Sequence, residues 1–219
     1  NTKGWQTWTT VNAAISLPAG QHVLRLALDS VGPTNAIGNF NYMTFAPSLT
    51  PPPPPPPTTG STPHLGVPFN ITTTAPTTIQ FEDFDNGGEG VAYHDVDKAN
   101  LGGSYRTSEG VDIQPTTDAG GGYNVGYVKP GEWLVYTINV QTAGTYDLGF
   151  RVASTGSNGT FHAEIDGANI TGAMTVPNTG GFQSWQTVTK TGVSLSAGQH
   201  ILRVAFDLAG SNGSVGNFN

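Results

Sequence analysis

The stretch GEWLVYTINV, residues 131–140, decides the fold class. Leu134, Tyr136, Ile138 and Val140 recur at every second position and share one face, with Trp133 on the other. Three further runs repeat the pattern. TYDLGFRVA (145–153) sets Tyr146, Leu148, Phe150 and Val152 against Asp147 and Arg151. FHAEID (161–166) sets Phe161, Ala163 and Ile165 against His162, Glu164 and Asp166, and HILRVAF (200–206) aligns Leu202, Val204 and Phe206. Period-two alternation in short runs separated by Gly-rich turns specifies half-buried antiparallel strands. No stretch keeps a 3.6-residue period over three turns. The expectation is an all-β protein, an antiparallel β-sandwich (jelly roll).

Composition narrows the functional classes. The chain has 219 residues, 30 Gly, 16 Pro, no Cys, 11% charged residues and a net charge of −7. That length accommodates a real core in one domain or two small ones. No apolar run approaches 18 residues, so no membrane span is expected. No basic segment followed by an apolar run opens the chain, so a secretion signal is expected outside it. With eight Lys and Arg against fifteen Asp and Glu, the chain lacks the basic face that nucleic acid requires. The absence of cysteine removes disulfides and thiolate zinc sites, and fits an extracellular protein that does not depend on oxidation.

The organisation shows in a linker and a repeat. PSLTPPPPPPPTTGSTP (47–63) contains seven consecutive prolines, a stiff polyproline II spacer of about 3 Å per residue. It separates a short piece, 1–47, from a module at about 66–219, with the linker taken as 48–65. Residues 1–41 align with 178–219 through one single-residue gap, 22 of 41 aligned positions being identical. Asn1 matches Asn178, Trp5 matches Phe182, His22 matches His200, and Asn39 matches Asn217. Such self-similarity marks duplicated modules, of which the first piece holds only the closing third.

The motifs IQFEDFD, GEGVAYHD, LGGSYR, VDIQ, GGYNVGYVKPGEWLVYTINV, AGTYDLGFRVAS, VPNTGGFQSWQTV and LSAGQHILRVAF follow in order. Together they resemble a family 6 carbohydrate-binding module over 76–219, with the end of a second such module at 1–47. The resemblance implies a jelly roll that binds polysaccharide and usually belongs to a larger secreted glycoside hydrolase. It also implies one more strand after GNFN. YMTF (42–45) resembles that strand in the first copy, whereas the second copy stops at Asn219.

A pyranose offers apolar C–H faces and a rim of hydroxyls, so aromatic rings stack on it and amides or carboxylates bond to its edge. The resemblance places the two gripping aromatics at Tyr127 and Phe182 and the bonding asparagine at Asn217. Trp5 and Asn39 are the counterparts in the first copy. Phe182 stands where the family often has Trp, which implies weaker or altered stacking. On pattern alone, Tyr127 and Phe182 fit core positions as well as binding ones, and Asn217 fits a turn. Tyr93, His94 and Asp95 lie in a loop that adds a ligand contact in some members of the family. Trp8, Trp185, His22 and His200 recur in both copies and read as structural.

The resemblance further implies a structural calcium ion, with Gln80, Glu82 and Asn219 as the corresponding side chains. Two of these three are amides, which bring oxygen but no charge. Intrinsic catalysis is not expected. Glycoside hydrolysis needs two facing carboxylates, and no spacing among Glu82, Asp83, Glu89, Asp95, Glu109 and Asp112 fixes such a pair. The chain contains no G-x-S-x-G, H-E-x-x-H or P-loop motif. Four Asn-x-Ser/Thr sequons, at Asn70, Asn158, Asn169 and Asn212, are acceptors only in a eukaryotic secretory pathway. The leading expectation is therefore a secreted polysaccharide-binding module of a multimodular protein. The alternative is a structural module that exchanges strands with neighbouring copies of itself, as in a filament.

Overall fold

The alternating runs form the long strands of two sheets sharing one core in the computed structural model, which describes residues 6–11, 23–27, 39–45 and 60–219. Strands β1 (Phe69–Ile71), β2 (Tyr93–His94), β3 (Ile113–Pro115) and β4 (Tyr123–Val125) are short. The longer ones are β5 (Trp133–Val140), β6 (Gly144–Ser154) and β7 (Gly159–Ile165). They are followed by β8 (Ala168–Asn169), β9 (Met174–Val176), β10 (Gly181–Leu195), β11 (Gly198–Leu208) and β12 (Asn217–Phe218). One sheet has seven strands in the order β1-β5-β11-β7-β8, with β2 on β5 and β9 on β7. The other has five, in the order β10-β6-β12-β4-β3. The only helical element among the described residues is a 3-10 turn at Phe81–Asp83, and none of them forms a helix long and apolar enough to cross a membrane.

Alternation builds the core as the sequence specifies. Leu134, Tyr136, Ile138 and Val140 from β5 meet Phe150 and Val152 from β6, Phe161 from β7 and Phe218 from β12. Phe218 is fully buried, its ring 5.3 Å from Phe81, 5.1 Å from Phe161 and 4.8 Å from Phe206. Tyr136 is buried as well, and its hydroxyl donates to the Phe81 carbonyl at 2.9 Å, so the burial leaves no unmet polar group.

Three features add detail to the expected outline. First, β1 pairs with β5 in parallel, Phe69 opposite Ile138, so the sandwich is not purely antiparallel. The long connection from β1 to β5 gives the chain room for the crossover that a parallel pair requires. Second, the described residues of the first unit, Asn1–Thr50, form no strand, and Tyr42 and Phe45 of the expected closing strand are exposed. Two-residue to four-residue segments are stable as strands only within a larger sheet. Third, Ser61 and Thr62, within the expected linker, bond to residues of the module. Thr62 and Asn86 exchange backbone hydrogen bonds of 2.9 and 2.7 Å, and the Ser61 hydroxyl donates to Asp85 at 2.9 Å. Asp85 is fully buried and also accepts from the backbone N–H and hydroxyl of Thr137, so this bond ties the end of the proline-rich segment to a satisfied internal carboxylate.

The outward face of the seven-stranded sheet carries a polar row. His162 Nδ1 lies 2.9 Å from both oxygens of Asp207, and its Nε2 lies 3.1 Å from Glu164, which also accepts from Arg203 Nε at 2.7 Å. Burial disfavours the charged imidazole, but the bonds to Asp207 and Glu164 outweigh it and lift His162 to about 9. Because that value lies above the ordinary 6.5, the contribution is complete below pH 6.5 and is lost as pH rises through 9. The melting temperature is therefore expected to fall between pH 6.5 and 9, and His162→Gln, which carries no titrating charge, is expected to flatten part of that decline. Parallel declines in differential scanning fluorimetry would contradict the assignment.

Candidate functional site

The sequence NVGY ends β4 and turns the chain toward β5. Gly126 cannot carry a side chain here without crowding: a Cβ would sit 3.0 Å from the Gln114 amide nitrogen and 3.3 Å from Asn217 Oδ1. Tyr127 follows with φ of 55°, the left-handed region. A non-glycine residue there costs roughly 1–2 kcal/mol, and such strain gathers at functional sites. The conformation holds the tyrosine ring outward, 49% exposed.

Phe182 reaches the same place from β10 and is 37% exposed. Neither aromatic is a core residue. Asn217 opens β12 with 2% exposure and donates from Nδ2 to the Phe182 carbonyl at 2.7 Å. One of its two N–H donors is thus committed to the chain, and its Oδ1 remains on the side of Gly126.

Tyr127, Phe182 and Asn217 line one cavity of about 420 Å³ together with Leu101, Gln114, Lys129 and the loop Asn212, Gly213 and Ser214. That loop is braced from behind. Asn212 Nδ2 donates to Ser154 Oγ and Thr155 Oγ1, and Ser214 Oγ donates to the Val128 carbonyl. Lys129 pairs with Asp97. Asp97 belongs to a group with Asp95 and Asp112 in which one carboxylate oxygen from each lies within 4.8 Å of the others. Asp112 accepts the Leu101 N–H at 2.5 Å, so the acidic group supports two cavity residues, Leu101 and Lys129. Burial raises Asp95 to about 6 and the nearby Glu132 to about 8. The cavity therefore combines two exposed aromatic faces with an amide and ammonium rim, a set that can stack on and bond to a polyhydroxylated ring.

Tyr93, His94 and Asp95 lie elsewhere. Tyr93 is buried against Phe84, with its oxygen accepting the Gly110 N–H at 3.0 Å. His94 bonds to Glu89 and faces Trp133, and Asp95 accepts the Asp97 N–H at 2.8 Å. Trp5 lies outside the described residues. Asn39 is described and exposed, in the first unit. Gln114, Lys129 and the 212–214 loop were missed by sequence reasoning. The available signal was proximity: Lys129 is two residues from Tyr127, and Gln114 sits in the VDIQ strand paired directly with Asn124.

A second locus bears on a metal. Glu82 is buried; its Oε1 accepts the Tyr123 N–H at 3.2 Å, whereas Oε2 has no partner. Burial raises this carboxyl to about 7. Asn219 Oδ1 is likewise buried without a partner, while its Nδ2 donates to Asp118 at 3.1 Å. Asp118 is held at about 2 by its hydrogen bonds with Arg151, both 2.6 Å. Two orphaned buried oxygens, one on a carboxyl, have the donor chemistry that a hard cation such as calcium uses. Gln80, at the start of the 3-10 turn, is half-buried and makes no capping bond with its side chain.

Comparison with known proteins gives a family. The model described as "Carbohydrate binding module (family 6)" matches residues 1–47 and 102–219, about three quarters of the chain. The clotting factor G alpha subunit of Tachypleus tridentatus is 34% identical over 111 residues, covering 50% of this chain and 16% of that protein. A beta-agarase of Microbulbifer thermotolerans is 41% identical over 69 residues, covering 31% of this chain and 16% of that protein. The chain thus spans a small part of the length of these curated relatives. Among solved structures, a family 6 module of Cellvibrio mixtus lichenase 5A in complex with cellotriose is 38% identical, with a TM-score of 0.44 over 50% of this chain and 82% of that one.

The strain at Tyr127 has a measurable consequence. Glycine relieves a left-handed backbone and alanine does not, so Tyr127→Gly is expected to be more stable than Tyr127→Ala by about 1 kcal/mol. Urea denaturation of the two variants checks this, and equal midpoints would show an unstrained turn.

Proposed function

The chain belongs to carbohydrate-binding module family 6, whose members bind sugar polymers without catalysing their cleavage, and from that premise we propose that Tyr127 and Phe182 stack on a polysaccharide held in the cavity between the 126–129 turn and the 212–214 loop. The observation that carries this reading is the pair of exposed aromatics on one cavity, one of them maintained in a strained backbone conformation. A volume of about 420 Å³ suits one or two sugar rings, within the range of ligand clefts. Gln114 and Asn217 Oδ1 supply the hydrogen-bonding edge. A net charge of −7 disfavours strongly acidic polymers.

A calcium ion held by Glu82 and Asn219, with Gln80 beside them, serves structure in this reading. It meets the two orphaned oxygens and joins the 3-10 turn to the chain following β12. The composition, the proline-rich linker and the multimodular relatives support a place in a larger secreted protein. A second reading, association between neighbouring copies, draws on the exposed Tyr42 and Phe45 that follow the repeated GNFN.

Affinity electrophoresis of the 219-residue chain through laminarin, barley β-glucan, xylan and agarose tests the proposal. One polymer is expected to retard the wild type, and Tyr127→Ala and Phe182→Ala are each expected to weaken retardation by roughly tenfold or more. No retardation of the folded wild type would move the reading to association between copies. Millimolar calcium is expected to raise the melting temperature relative to EDTA, and Glu82→Gln is expected to remove most of that increase.

A further inference from the structure

Phe182 stands on an arch. β10 begins with Gly181 opposite Ser154 of β6, and regular pairing resumes only at Gln186 opposite Val152. Residues 182–185 therefore face a single residue, Ala153, and must rise off the sheet. An arch of four residues is mobile unless something holds it, and a stacking ring on a mobile support loses more freedom when a ligand binds.

The side chain of Gln183 supplies the hold. Its Oε1 accepts the Thr117 N–H at 2.8 Å, and its Nε2 donates to Asn124 Oδ1 at 2.9 Å. The Thr117 hydroxyl donates toward the same residue, 3.3 Å from Oε1 and 3.4 Å from the main-chain oxygen. Asn124 belongs to β4, and Thr117 follows β3, whereas Gln183 belongs to β10 at the opposite edge of the five-stranded sheet. The amide thus bridges the arch to the far strands, across β6 and β12. Together with the bond from Asn217 Nδ2 to the Phe182 carbonyl, the arch is fixed at two consecutive residues. Gln183 itself does not line the cavity. Gln6 holds the equivalent position in the first copy, where the neighbouring aromatic is Trp5.

We propose that Gln183 is a positioning residue: by bridging Thr117 and Asn124 it fixes the Phe182 arch in the stacking pose, and so sets sugar affinity without touching sugar. The inference rests on the reading that Phe182 stacks on the ligand. Asn124 provides a discriminating test. It is fully buried, and its Nδ2 has no partner. A glutamate at 183 can therefore keep the bond from Thr117 N–H and receive a second from Asn124 once that amide turns over. A methionine there fills the same length and makes neither bond.

The experiment uses the 219-residue chain with 4-fluorophenylalanine replacing Phe182, in wild-type, Gln183→Met and Gln183→Glu backgrounds. Fluorine NMR without ligand reports the arch, and affinity electrophoresis through laminarin, barley β-glucan, xylan and agarose reports binding. The wild type and Gln183→Glu are expected to show one narrow line and retardation within about threefold of each other. Gln183→Met is expected to show a broadened or split line and binding weaker by roughly tenfold. A narrow wild-type line in Gln183→Met, or equal losses in Met and Glu, would overturn the proposal. If Gln183→Met does not fold, Asn124→Ala removes one of the two anchors and is expected to broaden the fluorine line and weaken binding, and an unchanged narrow line would overturn the proposal. If no polymer retards the wild type, the stacking reading fails, while the fluorine line still decides whether Gln183 holds the arch.

Discussion

The burial of Phe218 is the constraint on which the rest depends. Its ring lies among Phe81, Phe161 and Phe206, so β12 is anchored at the centre of the sandwich by one inward side chain. Strand alternation then sends Asn217 and Asn219 to the opposite face. Asn217 meets the Phe182 carbonyl, and Asn219 meets Asp118, which Arg151 neutralises. The four residues GNFN thus join the core to the candidate sugar cavity through Asn217 and to the candidate calcium ligands through Asn219.

The cavity is costly to maintain, and its costs are distributed. A strained Tyr127, a glycine at 126 where a side chain would crowd Gln114 and Asn217, and an arch outside the regular β6 pairing each work against stability. Polar networks offset them: the buried Asp85 with Thr137, and nearer the surface Gln183 with Asn124 and Thr117, and Asn212 with Ser154 and Thr155. Hydrogen bonds of this kind contribute about 1 kcal/mol each. They buy rigidity where a binding surface needs it, since a pre-formed stacking geometry leaves little entropy to lose on binding.

The legible part of the fold was the part with simple periodicity. Strands β5, β6, β7 and β11 send alternate hydrophobic side chains into one core, so their inward faces can be read from the sequence, whereas the burial of outward residues such as Trp133, Val135, Glu164 and Arg203 cannot. Strands β2, β8 and β12 have two residues each, too few for a period to show. The parallel pairing of β1 leaves no local trace, because register between Phe69 and Ile138 is set by contacts far apart in sequence. Motif order marked Tyr127, Phe182 and Asn217, which one cavity brings together. It could not mark Gln183, whose partners are 59 and 66 residues away. Nor could it separate Tyr93, a core residue, from the exposed aromatics, since both kinds occur beside glycine-rich turns.

In the proposed function, one cavity lined by Tyr127, Phe182, Asn217 and Gln114 takes the sugar. Titrating the 15N-labelled chain with β-glucan and agarose oligosaccharides while following backbone amide shifts tests it most directly. The largest shifts are expected at 126–129, 182–183 and 212–217, with the outer face of the seven-stranded sheet unchanged. Largest shifts around Trp133 and Arg203, or no shifts with any oligosaccharide, would contradict it.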